Sequence, residues 1–241
     1  MSNEKKVLVG MSGGVDSTAA ALLLRRAGWE PVGCMLALQG SEAGGGERTC
    51  CSLEDSEDAR AAAARLGMDF YMFNFRDLFR DAVVADFVAG YRAGRTPNPC
   101  VDCNRRVKFD ALLRRADDLG IPYVAPGHYA RVERGEDGRR RLLRGLDRRK
   151  DQSYFLYPLT QRHLSRLLLP VGDYDKPQVR AFAEEAGLVN ARKRDSQDIC
   201  FIPDGDYPAF LERSGVALTP GDFIDREGRV LGRHRGLPCY T

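Results

Sequence analysis

The order of short apolar runs and helix-forming stretches in the first part of the chain constrains the fold more than any other feature. Candidate strands are short runs rich in aliphatic or aromatic residues, at 5–10, 31–38 and 70–75. Candidate helices carry helix formers or apolar residues at helical spacing, at 18–27, 53–66 and 76–93. The resulting β-α-β-α-β-α order predicts an α/β fold with a doubly wound parallel sheet. Ligands bind such sheets beyond the carboxyl ends of the strands.

The pattern after residue 94 is less regular. Two prolines within 95–99 predict a loop, and Asn104 is a candidate cap for the helix that follows it. Apolar and polar residues roughly alternate over 129–144, and a Gly and an Asp-Gly pair interrupt the alternation, which predicts a hairpin. Apolar residues at helical spacing predict two further helices, at 160–169 and 176–186.

We expect three regions along the chain. A larger domain covers 1–154, a small, mainly helical region covers 155–213, and the start of a β-rich tail covers 214–241. The tail is distinguished by Gly, Pro and short apolar segments, which are typical of β structure with tight turns.

Composition places the chain among ordinary globular proteins. Hydrophobic residues make up 43% and charged residues 29%, and 37 basic against 34 acidic side chains give a net charge of +3. This excludes the collagen-like, disordered and disulfide-scaffold classes. No apolar run approaches the roughly 18 residues that span a membrane, and the run at 7–9 is too short for a signal peptide. We therefore expect a cytoplasmic protein with no membrane partner.

A Gly-rich turn at 10–17 joins the first candidate strand to the first candidate helix. Its glycines allow close backbone approach, and the free N–H groups and dipole of a helix start favour a phosphate. Ser12 and Ser17 add hydroxyl donors, whereas Asp16 repels phosphate and suggests a Mg²⁺ partner. No Lys follows the glycines, so this is not a Walker A loop. A purely structural turn is the alternative, and it accounts less well for two serines and an aspartate at a helix start.

The cysteines form a second candidate site. Seven cysteines, an odd number, indicate metal binding or catalysis before disulfides in a cytosolic chain. Cys103 precedes a candidate helix start and three cations within 105–108, so we expect a lowered thiol pKa. Cys200 has acidic and apolar neighbours, and a small core residue is an equally good interpretation. With Cys100 they offer three thiolates, which is short of a closed zinc site but fits an iron–sulfur cluster with one open iron.

The turn at 12–17, Ser-Gly-Gly-Val-Asp-Ser, resembles the pyrophosphate loop of the ATP pyrophosphatase superfamily. Its members split ATP between the α and β phosphates, adenylate a carbonyl oxygen and let a nucleophile displace AMP. The resemblance implies ATP with Mg²⁺ as the nucleotide, in the domain over 1–154. The implied nucleotide-binding residues of the loop are Gly10, Met11, Ser12, Gly13, Gly14, Val15, Asp16 and Ser17. Synthetases of GMP, NAD, asparagine and argininosuccinate share this motif with several tRNA thiolases, so it does not fix the substrate.

Further motifs narrow the resemblance to the bacterial tRNA-specific 2-thiouridylase family. They are Arg-Thr-Pro-Asn-Pro-Cys-Val-Asp-Cys-Asn at 95–104, Lys-Phe at 108–109, Gly-His-Tyr-Ala-Arg at 127–131, Lys-Asp-Gln-Ser-Tyr-Phe at 150–155 and Asp-Ser-Gln-Asp-Ile-Cys-Phe-Ile at 195–202. This resemblance covers essentially the whole chain. It implies a tRNA-uridine 2-sulfurtransferase, in which ATP activates the C2 carbonyl of the wobble uridine and sulfur replaces the oxygen, with release of AMP and pyrophosphate.

The family resemblance also implies roles for individual residues. Cys200 would carry a persulfide received from a sulfur-donor protein, either a cysteine desulfurase or a sulfur-carrier relay. Cys103 would free that sulfur by forming a disulfide with Cys200. Met35 and Gly127 match adenine-site positions. The implied tRNA contacts are Asn98, Pro99, Cys100, His128, Lys150, Asp151 and Gln152.

Two departures from the family pattern leave alternatives open. Many relatives have Asp at the position of Cys100, and some members are reported to hold a 4Fe-4S cluster at these positions. In that scheme an open iron held by Cys100, Cys103 and Cys200 would carry the sulfide. The sequence also stops inside what resembles the start of the family's C-terminal β-barrel, which normally helps hold tRNA. We therefore expect a chain that lacks most of that barrel.

Basic residues are concentrated in two stretches that could contact tRNA. Residues 139–150 hold seven basic side chains against one acid, Asp147, and 105–115 add five more. Such patches neutralise RNA phosphates, although a solvated charged face is the usual interpretation of a charge run. Tyr154 and Phe155 lie close by in the sequence and could stack on an unpaired base.

Two other hypotheses compete with a tRNA thiolase. An amidotransferase-type synthetase, such as one making GMP, needs a glutaminase domain or an ammonia source, and the chain has no room for the former. A remnant that binds metal or RNA without catalysis would keep these motifs but would release no pyrophosphate from ATP in the presence of tRNA.

Overall fold

A computed structural model describes residues 3–39, 53–195 and 199–240. The strands are β1 (Lys6–Gly10), β2 (Glu30–Ala37), β3 (Phe70–Asn74), β4 (Tyr123–Ala125), β5 (Ala130–Arg134), β6 (Arg140–Arg144), β7 (Gly221–Ile224) and β8 (Val230–His234). The α-helices are α1 (Val15–Arg26), α2 (Leu53–Arg65), α3 (Arg76–Phe79), α4 (Ala85–Arg92), α5 (Pro99–Asp102), α6 (Leu112–Asp118), α7 (Gln161–Leu164), α8 (Lys176–Glu185) and α9 (Tyr207–Arg213). π-Helical turns at Arg80–Val84 and Cys103–Ala111 join α3 to α4 and α5 to α6.

Four parallel strands form the central sheet in the order β3-β2-β1-β4. From β1 the chain moves outward to β2 and β3, and then returns to place β4 on the other side of β1. The strand order therefore reverses between β1 and β4. In a doubly wound sheet this reversal opens a crevice beyond the carboxyl ends of the two strands, where ligands bind.

The centre of the sheet is buried on both faces, which explains why the β1 sequence is continuously apolar. Val7 and Val9 pack with α1 and α2 on one face. Leu8, between them, packs with Phe109 and Leu156 on the other. Because Leu156 belongs to this cluster, residues beyond 154 contribute to the same core, and the expected division at 154 stays a prediction.

Most predicted elements are present. The α/β fold with a doubly wound parallel sheet is confirmed, as are the hairpin of β5 and β6 and the two-stranded tail of β7 and β8. The predicted helix over 160–169 is wrong in extent, because α7 ends at Leu164. After it, the backbone around Leu167 hydrogen-bonds along Val124 of β4, and this pairing with the sheet replaces a longer helix.

The predicted cap at Asn104 is also wrong. The helix begins six residues earlier, where the Asn98 side chain accepts a hydrogen bond from the Cys100 N–H at 3.1 Å and Pro99 occupies the first turn. Proline is tolerated at that position because its missing N–H has no partner in a helix start. Asn104 lies buried within the helix, where its side chain donates to the Phe155 carbonyl.

The described part of the chain contains no helix with the length and apolar character needed to cross a membrane.

Candidate active site

The Gly-rich turn follows β1 directly and leads into α1. Gly13 has a φ of +76°, a left-handed conformation that favours glycine. The Ser12 N–H donates to Ser17 Oγ at 3.1 Å, and Ser17 Oγ donates to the Gly14 carbonyl, so the two serines brace the turn from within. Gly14 caps α1 without a side-chain acceptor, which leaves the N–H groups of the first turn to a ligand.

A cavity of about 360 Å³ opens beside this turn, at the crevice between the ends of β1 and β4. Its wall contains most of the nucleotide residues predicted from the sequence and three of the predicted tRNA contacts. These are Gly10, Met11, Ser12, Gly14, Val15, Asp16, Ser17, Met35, Gly127, His128, Lys150 and Gln152. Gly13 lies behind the turn, against the backbone of Asp55.

Gly127 brings the end of β4 into contact with the start of α1. A Cβ at this position would lie 2.5 Å from the Ser17 nitrogen and 2.7 Å from the Asp16 carbonyl carbon. Both are backbone atoms, so any larger residue would push the two chain segments apart. The two closely packed segments form adjoining parts of the cavity wall.

Asp16 is held by a buried lysine that sequence reasoning missed. Lys176, at the start of α8, is 7% exposed, and its Nζ lies 2.7 and 2.8 Å from the two carboxylate oxygens of Asp16. The Tyr129 hydroxyl donates to the same carboxylate at 2.8 Å. Asp16, suggested by the sequence as a Mg²⁺ partner, is therefore already engaged by a lysine and a tyrosine hydroxyl of the protein.

The same lysine contacts Asp195, at the start of the Asp-Ser-Gln-Asp-Ile-Cys motif. Lys176 Nζ lies 2.7 Å from Asp195, which also accepts from Lys150 at 2.6 Å and from Arg180 at 3.0 Å. Burial opposes ionisation of Asp195, but its hydrogen bonds with Lys150 and Lys176 hold the pKa of this carboxyl below its usual value. An ionised Asp195 thus joins three cations beside the cavity.

Two further residues reach the turn and the neighbouring α2 from elsewhere in the chain. Asn190 is buried, and its side-chain amide donates to the Gly13 carbonyl at 3.0 Å and to Thr18 Oγ1 at 2.8 Å. Lys193 pairs with Asp55 and Asp58 on α2. Neither residue belongs to a local motif, and only a fold that brings segments more than a hundred residues apart into contact reveals them.

His128 is a neutral group in the cavity wall. It is 8% exposed, and burial, followed by the charge of Lys108, lowers the pKa of its ring from 6.5 to about 3. Its Nδ1 is buried and has no hydrogen-bond partner among the described residues. A buried ring nitrogen without a hydrogen-bond partner destabilises the folded state unless a ligand or a water molecule in the cavity forms a hydrogen bond with it.

Cys103 and Cys200 belong to one apolar region that shares a residue with the cavity wall. Cys103 is buried in an apolar cluster with Phe79 and Leu38, and the half-buried Cys200 packs against this cluster. Leu38 belongs to both the cluster and the cavity lining. The structure therefore brings the two predicted catalytic cysteines to one region that adjoins the nucleotide cavity.

The remaining predicted tRNA contacts lie at or near the start of α5. Asn98 is the helix cap, Pro99 is buried and Cys100 is exposed. Asp151 lies outside the cavity lining and accepts from the Gly145 N–H and the Ser153 hydroxyl, so its visible role is to hold a turn. Ser196, Gln197 and Asp198 lie outside the described residues, as does the Cys50-Cys51 pair.

Within residues 3–39, 53–195 and 199–240, no three His, Cys, Asp or Glu side chains are grouped closely enough to hold a metal ion. Cys100 is exposed while Cys103 is buried among apolar side chains. The three cysteines thus do not form a cluster ligand set in this arrangement.

Known proteins share both the sequence and the motifs of this site. The family profile described as "tRNA methyl transferase HUP domain" matches residues 5–204. The tRNA-specific 2-thiouridylase MnmA of Carboxydothermus hydrogenoformans is 53% identical over 98% of this chain and 66% of its own length. That of Moorella thermoacetica is 52% identical over 97% of this chain and 67% of its own length. The chain belongs to the tRNA-specific 2-thiouridylase family.

Membership of the 2-thiouridylase family confirms the resemblance seen in the motifs. The chain spans about two thirds of the length of these relatives, 66% of the first. Among solved structures, NMN synthetase from Francisella tularensis matches 89% of this chain and 73% of its own, with a TM-score of 0.48 and 17% identity.

Proposed function

We propose that this chain catalyses ATP-dependent 2-thiolation of the wobble uridine of tRNA. The observation that carries the proposal is the adjacency of two sites: the wall of the nucleotide cavity and the apolar cluster around Cys103 and Cys200 share Leu38. An enzyme that activates a carbonyl with ATP and then delivers sulfur needs both sites close together.

ATP would bind in this cavity. The N–H groups of the turn and first turn of α1 would hold its phosphates. Arg194, which lines the cavity and makes no ion pair within the described part of the chain, would add a positive charge. The unsatisfied Nδ1 of His128 would gain a partner, and Met35 and Gly127 would face the adenine. Because Lys176 and Tyr129 engage Asp16, we propose that Mg²⁺ is carried by the phosphates of ATP.

In the first step the uridine C2 oxygen attacks the α-phosphorus, and pyrophosphate leaves. In the second step the Cys103 thiolate attacks Sγ of a Cys200 persulfide. The persulfide S–S bond breaks, a Cys103–Cys200 disulfide forms and hydrosulfide is released. Hydrosulfide adds to C2 of the activated uridine, and AMP departs with the former carbonyl oxygen. A sulfur-donor protein supplies the persulfide, and an external thiol reduces the disulfide.

The persulfide scheme is favoured over the 4Fe-4S alternative by the surroundings of the cysteines. Cys103 and Cys200 pack in the same region, and this proximity suits reaction of one sulfur with the other. A cluster would need Cys100 as a third ligand, and Cys100 is exposed whereas Cys103 is buried. We propose that α5 and the basic stretch at 139–150 contact the tRNA.

The proposal is tested by measuring 2-thiouridine and pyrophosphate separately, with purified chain, tRNA, ATP·Mg²⁺ and a persulfide donor. Cys103→Ser and Cys200→Ser should each lower 2-thiouridine formation by about a thousandfold or more, while pyrophosphate release with tRNA persists. Cys239→Ser serves as the control. Full thiolation in either active-cysteine variant would reject the assigned roles, and absence of pyrophosphate release from the wild type would favour a binding remnant.

A further inference from the structure

Cys200 and Asp195 each accept hydrogen bonds from distant parts of the chain. Gln39 Nε2 donates to the Cys200 carbonyl oxygen at 2.8 Å. Asp195, five residues earlier in the sequence, accepts from Lys150, Lys176 and Arg180. Gln39 is 161 positions from Cys200 and Lys150 is 45 positions from Asp195, so these contacts fix both residues relative to the rest of the fold.

The Gln39 contact ties Cys200 to the central sheet. Gln39 follows Leu38, which is buried beside Cys103 and lines the nucleotide cavity. The side chain of Leu38 anchors the end of β2, so the neighbouring Gln39 amide has a defined position. The Cys200 carbonyl is therefore held next to the cluster that contains Cys103.

The contacts of Asp195 lead to the nucleotide turn. Lys176 is 7% exposed and its Nζ contacts both Asp16 on α1 and Asp195. A buried lysine shared by two carboxylates links them electrostatically, because a weaker contact to one changes the balance of charge at the other. The phosphates of a nucleotide beside Asp16 and Lys150 would attract the same lysines and weaken their hold on Asp195.

We propose that Gln39 and Asp195 are positioning residues that hold Cys200 against the Cys103 cluster, and that Lys176 couples this position to occupancy of the nucleotide cavity. The chemical meaning of this positioning rests on the proposed function. The positions themselves can be tested without turnover.

The test measures the rate at which a maleimide labels Cys200 in the full chain, by mass spectrometry of the labelled peptide, with and without ATP·Mg²⁺. Cys239, half-buried in the C-terminal β region, is the internal reference. Thermal unfolding verifies that each variant is folded. In the wild type we expect ATP to accelerate labelling of Cys200 and to leave Cys239 unchanged.

Asp195→Asn should raise the labelling rate of Cys200 without ATP by about tenfold, because the contacts of this side chain with Lys150, Lys176 and Arg180 lose its charge, and should abolish the response to ATP. Gln39→Met, which keeps the length of the side chain but lacks its donor, should also raise the rate but retain the response. Asp118→Asn, which removes an exposed ion pair with Arg115, is the matched control and should change neither.

Labelling within twofold of the wild type in both Asp195→Asn and Gln39→Met would overturn the positioning role. No acceleration by ATP in the wild type, or an equal acceleration in Asp195→Asn, would overturn the coupling through Lys176. Calorimetry of ATP binding separates this inference from the proposed function. A wild-type chain that binds no ATP contradicts the proposed function, whereas one that binds ATP without these labelling changes contradicts only the present inference.

Discussion

The nucleotide cavity and the cysteine cluster are built in opposite ways. The cavity surrounds one strand–turn–helix unit, whose glycines permit close backbone approach, and polar groups from later segments complete its wall. The cysteine cluster is apolar, and its members come from β2, the α3 region, the π-turn after α5 and the segment at Cys200. The turn at the centre of the first site depends on local backbone geometry, whereas the second site depends on packing of distant apolar segments. Substitutions in the two sites should therefore affect different steps.

The backbone geometry of the turn gives the largest expected effect on nucleotide binding. Gly13→Ala would place a Cβ 2.4 Å from the Asp55 carbonyl oxygen at a φ of +76°. The Asp55 backbone cannot move away easily, so we expect a loss of about 1–3 kcal/mol, seen as ATP binding about 10- to 100-fold weaker by calorimetry.

Gly28→Ala is the matched control, because Gly28 has a φ of +79° and a Cβ added there would have no atom within 4 Å. It shares the conformational penalty of a left-handed residue but not the steric clash. If both variants bind ATP equally, the crowding at Gly13 does not shape the site.

The neutral state of His128 predicts a pH dependence of stability. The folded pKa, about 3, is below the ordinary value of 6.5, so the unfolded chain takes up a proton first as the pH falls. Stability contributed by the neutral ring is present above pH 6.5 and is lost as the pH falls toward 3. Between pH 7 and pH 5 this loss amounts to about 2 kcal/mol. Urea unfolding of His128→Gln should show a correspondingly smaller decrease over the same range, and an identical decrease in the two proteins would contradict the assignment.

The basic stretch should give a smaller effect, on tRNA affinity alone. Arg148 and Arg149 are exposed. Replacing both with Gln should weaken tRNA binding by roughly three- to tenfold and lower by one or two the number of counterions released on binding, as read from the salt dependence of the affinity. ATP binding should not change. The control is Arg80→Gln, an exposed arginine paired with Asp77 and Asp81. Equal losses in both variants would indicate only a general charge effect.

Cys100 should give the smallest effect. It is exposed, and Cys100→Ser should keep 2-thiouridine formation within about twofold of the wild type. An iron–sulfur mechanism predicts instead a near-complete loss of activity, together with iron and sulfide in anaerobically purified chain. Metal analysis of the same preparation distinguishes the two outcomes.

The contrast between the two sites also explains which features of the structure can be predicted from the sequence. The parallel sheet and the nucleotide turn are predictable because strand length, helical spacing and the glycines are local signals. The cap at Asn98 also has a local signal, an Asn followed by Pro at a helix start, but two prolines so close together favour a loop. In the sequence, Lys176 is simply the first residue of a helix after the capping residue Asp175, and nothing near it indicates a buried ion pair. Its role depends on Asp16 and Asp195, and no local pattern brings those three residues together.

The central claim is that Cys103 and Cys200 act together beside the nucleotide cavity. The most direct test is a single turnover with persulfide-loaded chain, ATP·Mg²⁺ and tRNA, followed by mass spectrometry of the peptides and quantification of 2-thiouridine. The account predicts a Cys103–Cys200 disulfide in an amount equal to the 2-thiouridine formed. Full formation of 2-thiouridine with the two cysteines recovered uncrosslinked would contradict it.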